Sequence, residues 1–140
     1  MIEDIRINTL KIIQVEEGDV MHALKEEEES FIRFGEAYFS NIKYNSIKAW
    51  KRHKLMTLNL VVPVGEIKFV FYDDRKPSRR EFYEIILSKK NYCRITVPPM
   101  IWMGFQGLSE GDSTLLNIAD ISHNPLEIEK LPFEEINYNW

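Results

Sequence analysis

Five basic side chains, Lys48, Lys51, Arg52, His53 and Lys54, stand within seven consecutive positions, with Trp50 among them. Such a cluster has two readings. One is a solvated strand edge whose alternate residues, Ala49 or Trp50, pack inward. The other is an anion site at the mouth of a barrel, where cationic groups hold a diphosphate and an aromatic ring stacks on a base or sugar. Lysine adds a chemical possibility, because desolvation and neighbouring positive charge both lower its pKa and can make it a base. Side chains two apart share a strand face, so Lys51 and His53 are expected on the same side. A His-x-His pair in that place, with a later histidine and an acid, would hold iron, manganese or zinc. An ammonium group is a poor ligand at neutral pH, and no metal is expected here.

Other chemistries find less support. Cys93 is the only cysteine and lies in an apolar stretch with no adjacent histidine, which reads as a buried, inert thiol and excludes an intrachain disulfide. His22 and His123 sit in acidic or loop contexts and read as surface histidines. Gly35, Gly65, Gly104, Gly107 and Gly111 never form the GxGxxG arrangement of a dinucleotide or phosphate loop. With 18 basic and 22 acidic side chains the net charge is -4, so no basic field invites nucleic acid. MIEDIRINTL has acids where a signal peptide needs basic residues, and no apolar stretch approaches the ~20 residues of a membrane span. A cytoplasmic protein without membrane contact is the expectation.

The elements that must position these residues read as strands. A length of 140 residues, 44% hydrophobic and 12% aromatic, fits one folded domain over 1–140. Short alternating runs separated by turn signals indicate an all-β sandwich or barrel. In LNLVVPVGEIKFVFYDD a tight turn or hairpin is expected at Val64 and Gly65, with Phe69 and Phe71 on one face and Lys68 and Tyr72 on the other. EFYEIILS, YCRITV, IWMGFQ and STLLNIAD read as further strands. Pro63 belongs at an edge or a bulge. DVMHALKEEEESF fits either a short helix or a strand followed by an acidic loop. LPFEEINYNW reads as an extended tail that packs its aromatics back on the domain.

Two longer blocks carry a resemblance. KAWKRHKLMTLNLVVPVG, residues 48–65, resembles the KAWHxHKxxTxNxxVxxG pattern of the dTDP-4-dehydrorhamnose 3,5-epimerases, and VPPMIWMGF is similar to their PPGxxHGF turn. FGEAYFSNI, FVFYDDR and the terminal INYNW agree, so the likeness runs from about Asp19 to Trp140. It implies a cupin-type double-stranded β-helix, or jelly roll, that dimerises through its sheets and holds a nucleotide sugar inside the barrel. In such enzymes a histidine removes a proton next to the C4 keto group and a tyrosine on the opposite side returns one, without metal or organic cofactor.

Carried over by position, the base falls on Lys51, the histidine of the proline turn on Met103 and the tyrosine on Leu116. The carboxylate that orients the histidine in longer members has no counterpart in this alignment. Lys51 and His53 are therefore the catalytic candidates. Lys48, Trp50, Arg52, Asn59, Trp102, Met103, Asn117 and Asp120 are the candidates for substrate contact, with Trp50 and Trp102 as stacking surfaces. The implied activity is an epimerase or isomerase of a keto-sugar nucleotide in surface-polysaccharide biosynthesis, with altered proton-transfer residues. The alternative is a non-catalytic cupin that binds a nucleotide sugar or carbohydrate. A homodimer is expected, since jelly-roll edges need cover, and residues 1–15 look able to join a partner's sheet.

Overall fold

A computed structural model describes residues 1–140. The chain forms twelve strands in the order β1 (Arg6–Thr9), β2 (Ile12–Ile13), β3 (Val20–Met21), β4 (Glu36–Ile42), β5 (Ile47–His53), β6 (Leu58–Val64), β7 (Glu66–Asp73), β8 (Glu81–Ser88), β9 (Cys93–Val97), β10 (Trp102–Gly107), β11 (Ser113–Ala119) and β12 (Ile128–Lys130). Ten of them make two five-stranded antiparallel sheets, β1-β9-β6-β11-β4 and β12-β5-β10-β7-β8, and β2 pairs with β3. This is the all-β jelly roll expected. DVMHALKEEEESF resolves to its second reading, with Val20–Met21 as a strand and turns or loop after it.

The sheets face each other across a core that alternation had marked. Leu58, Leu60 and Val62 of β6, Phe69 and Phe71 of β7, Ile95 and Val97 of β9, and Leu115 and Ala119 of β11 all join one buried cluster. Phe69 and Phe71 stack with ring centroids 6.2 Å apart. Ile and Leu dominate the cluster, with Phe and Val beside them, and the β-branched and aromatic members suit a pleated surface buried on one side. The turn at Gly65 is a crossing between sheets, because β6 pairs with β9 and β11 while β7 pairs with β8 and β10. Gly65 has φ +83, and a Cβ there would lie 2.3 Å from Ser113 Oγ, so the tight crossing requires glycine. Pro63 lies on a central strand, but at a bulge where the four β6 residues Val61 to Val64 stand opposite three of β11, Leu116 to Thr114.

A second bulge governs the basic segment. Met103 pairs with Lys51 and Phe105 with Lys48, so β5 carries one extra residue opposite Gly104. Lys48, three positions from Lys51, consequently shares its inner face. A Cβ on Gly104 would stand 2.7 Å from Ala49 Cβ and 2.9 Å from the Trp140 ring, leaving no room for any larger residue under the bulge. The C-terminal tail docks as expected, on the outer face of this sheet. Trp50, Val70, Trp102 and Ile136 are buried there with Tyr138 and Trp140 packed on them. Within the single chain, β1 of the N-terminal segment pairs with β9 over Arg6–Thr9 and covers that edge.

Candidate active site

Between the two sheets, at the end bounded by β4 and β5, lies a cavity of about 370 Å³, within the size range of small-molecule sites. Its walls are Tyr38 and Ser40 of β4, Lys48, Ala49, Trp50 and Lys51 of β5, Leu58, Met103, Phe105, Asn117 and Lys130. Strand parity places each: Tyr38 and Ser40 alternate inward on β4, Asn117 on β11, and Lys130 lies opposite Lys51 in the β5–β12 pairing. Three ammonium groups thus line a cavity whose walls hold no acidic side chain. Lys48 Nζ donates to the Asn41 carbonyl at 2.7 Å and lies 5.8 Å from the Phe105 ring centroid. Asn117 Nδ2 donates to Ser40 Oγ at 3.2 Å, which fixes the polar end of the β4 wall.

Lys51 sits deepest of the three cations. Burial lowers its pKa, and the neighbouring charges of Lys130 and Lys48 lower it further against the opposing pull of Glu127. Tyr38 responds in the opposite sense, its pKa raised by burial and then by Glu36 and Glu127, so it stays a phenol and a proton donor at neutral pH. Beyond Lys51 the cavity narrows to a pocket lined by His53, Met56, Val97, Pro98 and Ile101 together with Lys51, Leu58 and Met103. His53 Nδ1 is bonded to the Glu127 carboxylate, which also accepts from the N–H groups of Leu55 at 3.2 Å and Met56 at 3.3 Å. Burial outweighs that carboxylate and keeps His53 below the usual histidine range. The neutral ring therefore donates from Nδ1 to an ionised Glu127, whose own pKa is lowered by His53 and those two N–H groups despite the opposing effect of burial.

The structure brings Lys48, Lys51, Met103 and Asn117 to one cavity and His53 to its inner end. It does not gather the rest. Trp50 borders the cavity, but its indole is turned to the outer face, where Nε1 donates to the Phe133 carbonyl and the ring meets Trp140 at 5.5 Å. Trp102 and Arg52 are outside as well, the guanidinium 4.5 Å from the Trp102 ring centroid and ion-paired with Asp74 and Glu129. Their parity, opposite to that of Lys51 and Met103, excludes them from the barrel. Asn59 lies on the outer face of the other sheet, giving Nδ2 to the Ser30 carbonyl and accepting from Thr96. Asp120 ties a loop by accepting from the Thr57 N–H at 2.8 Å.

Two groups at the cavity were not among the residues singled out from the sequence. Leu116, aligned with the family's tyrosine, lies between the inward residues Leu115 and Asn117 and points outward, while Tyr38 supplies the phenol from β4. A buried carboxylate, Glu127, does bond a histidine, but that histidine is His53 and not the residue at the base position, Lys51. Alternation in GEAYFSNI, read against the inward Ile42, would have turned Tyr38 to the core. Glu127, on a three-residue 3-10 turn, left no periodic signal.

A solved structure named as a dTDP sugar isomerase, from Desulfovibrio desulfuricans G20, is 35% identical to this chain, with 95% of this chain and 87% of that one aligned at a TM-score of 0.90. The chain belongs to the dTDP-sugar isomerase and epimerase family. A probable low-salt glycan biosynthesis epimerase of Haloferax volcanii is 24% identical over 95% of this chain and 89% of its own length. The spore coat polysaccharide biosynthesis protein SpsL of Bacillus subtilis strain 168 is 23% identical over 100% of this chain and 97% of its own. No family model matches the chain. Family members therefore span its length, and the cavity lies inside the shared jelly roll.

Proposed function

We propose that the protein is an epimerase or isomerase of a keto-sugar linked to a nucleoside diphosphate, acting by proton transfer at a carbon next to the ketone and serving surface-polysaccharide biosynthesis. The observation that carries this reading is the placement of Lys51 and Tyr38 on opposing sheets of one cavity, with their pKa values pushed apart. Such a divergence is how a site assigns base and acid at neutral pH. Lys51, as the amine, takes the proton from carbon, and Tyr38 gives one from the other side or to the enolate oxygen. Lys48 and Lys130, at the exposed mouth, offer the charge that a diphosphate needs. The dTDP sugar named for the similar Desulfovibrio protein supports a nucleotide-linked substrate.

The chain is read as one domain working in the cytoplasm and pairing with a second copy. Phe39, 68% exposed on the edge strand β4, supports a covered edge; no helix is long and apolar enough to cross a membrane. Light scattering should return twice the chain mass, and a monomer would refute the pairing. For the reaction, the test is proton NMR with dTDP-4-keto-6-deoxyglucose in deuterated water. Loss of the C3 or C5 proton signal is expected, the exchanged carbon naming the reaction. Retention of both signals at millimolar probe would overturn the assignment.

A further inference from the structure

The inner end of the cavity contains an arrangement that proton abstraction by Lys51 does not itself require. His53 Nε2 is buried and has no hydrogen-bond partner. It borders the narrow pocket of about 10 Å³ in which Lys51 and His53 are the only polar side chains, the others being Met56, Leu58, Val97, Pro98, Ile101 and Met103. That volume accepts at most about one water molecule. On the far side of the ring, Glu127 is locked by three hydrogen bonds, two of them from backbone N–H groups. A carboxylate so fixed dictates the tautomer, with the proton on Nδ1 and a bare lone pair on Nε2, in a ring that lines the pocket shared with Lys51.

We propose that His53 and Glu127 form a buried proton acceptor for Lys51, so that the lysine in contact with substrate passes its proton inward. The inference rests on Lys51 being the base. In the first step the C–H bond next to the ketone breaks, its electron pair enters the enolate, and the proton forms a new N–H bond on the Lys51 amine. In the second, the resulting ammonium gives one proton to His53 Nε2, directly or through one water, restoring the amine and leaving an imidazolium held by the Glu127 carboxylate. Running the second step backward recharges Lys51 for reprotonation. The groups that face this pair are Lys48 from β5, Lys130 from β12, Tyr38 from β4, Glu127 from the 3-10 turn and His123 from the loop before it. The cations around Lys51 favour loss of its proton, and Glu127 favours its arrival on His53.

Glu127→Gln keeps an oxygen to accept from Nδ1 but cannot balance an imidazolium. With dTDP-4-keto-6-deoxyglucose as probe, its exchange rate at saturation should fall by about tenfold or more, with the probe's KM little changed and the pH profile displaced; the melting temperature should drop as well, because the new amide N–H2 faces the Leu55 and Met56 N–H groups. A rate and profile equal to wild type would overturn the relay. A second measurement needs no turnover: nitrogen NMR of the imidazoles in the substrate-free protein, with His53→Asn to assign the ring. Protonated Nδ1 and bare Nε2 at neutral pH are expected, with the His53 titration moving upward in Lys51→Met. The opposite tautomer, or a titration indifferent to Lys51, would overturn it. Should the wild type fail to exchange the probe, the proposed reaction falls, while the nitrogen titration still decides whether His53 and Lys51 are proton-coupled.

Discussion

The two faces of β5 carry similar residues in opposite states. On the outside, Arg52 is ion-paired with Asp74 and Glu129 and lies over Trp102, and the Trp50 indole finds both aromatic neighbours and a carbonyl acceptor. On the inside, Lys51 is half-buried beside two other ammonium groups, and His53 keeps one nitrogen open. Basic residues that find partners stabilise a fold; those denied partners hold altered pKa values that chemistry can use. The outer face is thus a set of satisfied contacts, and the inner face is where the proposed chemistry would take place, although a single heptapeptide supplies both.

The sharpest way to break this contrast is Lys51→Met. Loss of the base should reduce exchange of the keto-sugar probe by about two to four powers of ten, measured by NMR, with nucleotide affinity nearly retained. The same variant should gain stability. Lys51 has a folded pKa below its unfolded value, so between those values the unfolded chain holds more protons, and the native state is penalised throughout the pH range below its folded pKa. Thermal melts should therefore favour Lys51→Met at pH 7, with the gain shrinking as pH climbs toward the unperturbed 10.5. A wild-type exchange rate that rises with pH and levels off below that value would agree.

Trp50→Ala tests the other face. Removing a side chain that is 2% exposed should cost about 3–5 kcal/mol in denaturant unfolding, and it should damage the site only through the shape of β5. Arg52→Met comes next, at about 1–3 kcal/mol for a half-buried charge whose acceptors are left unpaired. Its effect on turnover should be slight; a loss as large as that of Lys51→Met would erase the distinction between faces. The smallest effect belongs to Lys130→Met at the exposed mouth, a few-fold weaker binding of dTDP by calorimetry, diminishing in high salt.

The strands were legible because burial on one side imprints a period of two, as in β7, where Phe69 and Phe71 point in and Lys68 and Tyr72 point out. The basic segment was legible as a place where chemistry could occur, but assigning its residues to faces failed at Trp50 and Arg52. Composition cannot tell which of two alternating sets looks inward when one extra residue interrupts the count. Trp102 was misassigned for a related reason, since an aromatic ring serves equally well as a stacking platform or as the cover of an outer face. Glu127 was invisible because its partnership with His53 spans 74 positions and depends on a turn with no repeating pattern. Asn59 shows the converse: a polar residue in a strand was read as a ligand contact and is instead a buried strut between Ser30 and Thr96.

The extra residue of β5 opposite Gly104 acts as a phase shifter. Counted in twos, Lys48 and Lys51 belong to opposite sides of the sheet, and only the odd insertion between them makes them neighbours over the same ligand space. Shortening the strand by one residue at Ala49 would leave every cation in the chain and every strand in its sheet, yet send Lys48 to the side of Trp102. The shared face of Lys48 and Lys51 is thus encoded as much in a count as in a composition, and it can be lost without altering a single charge.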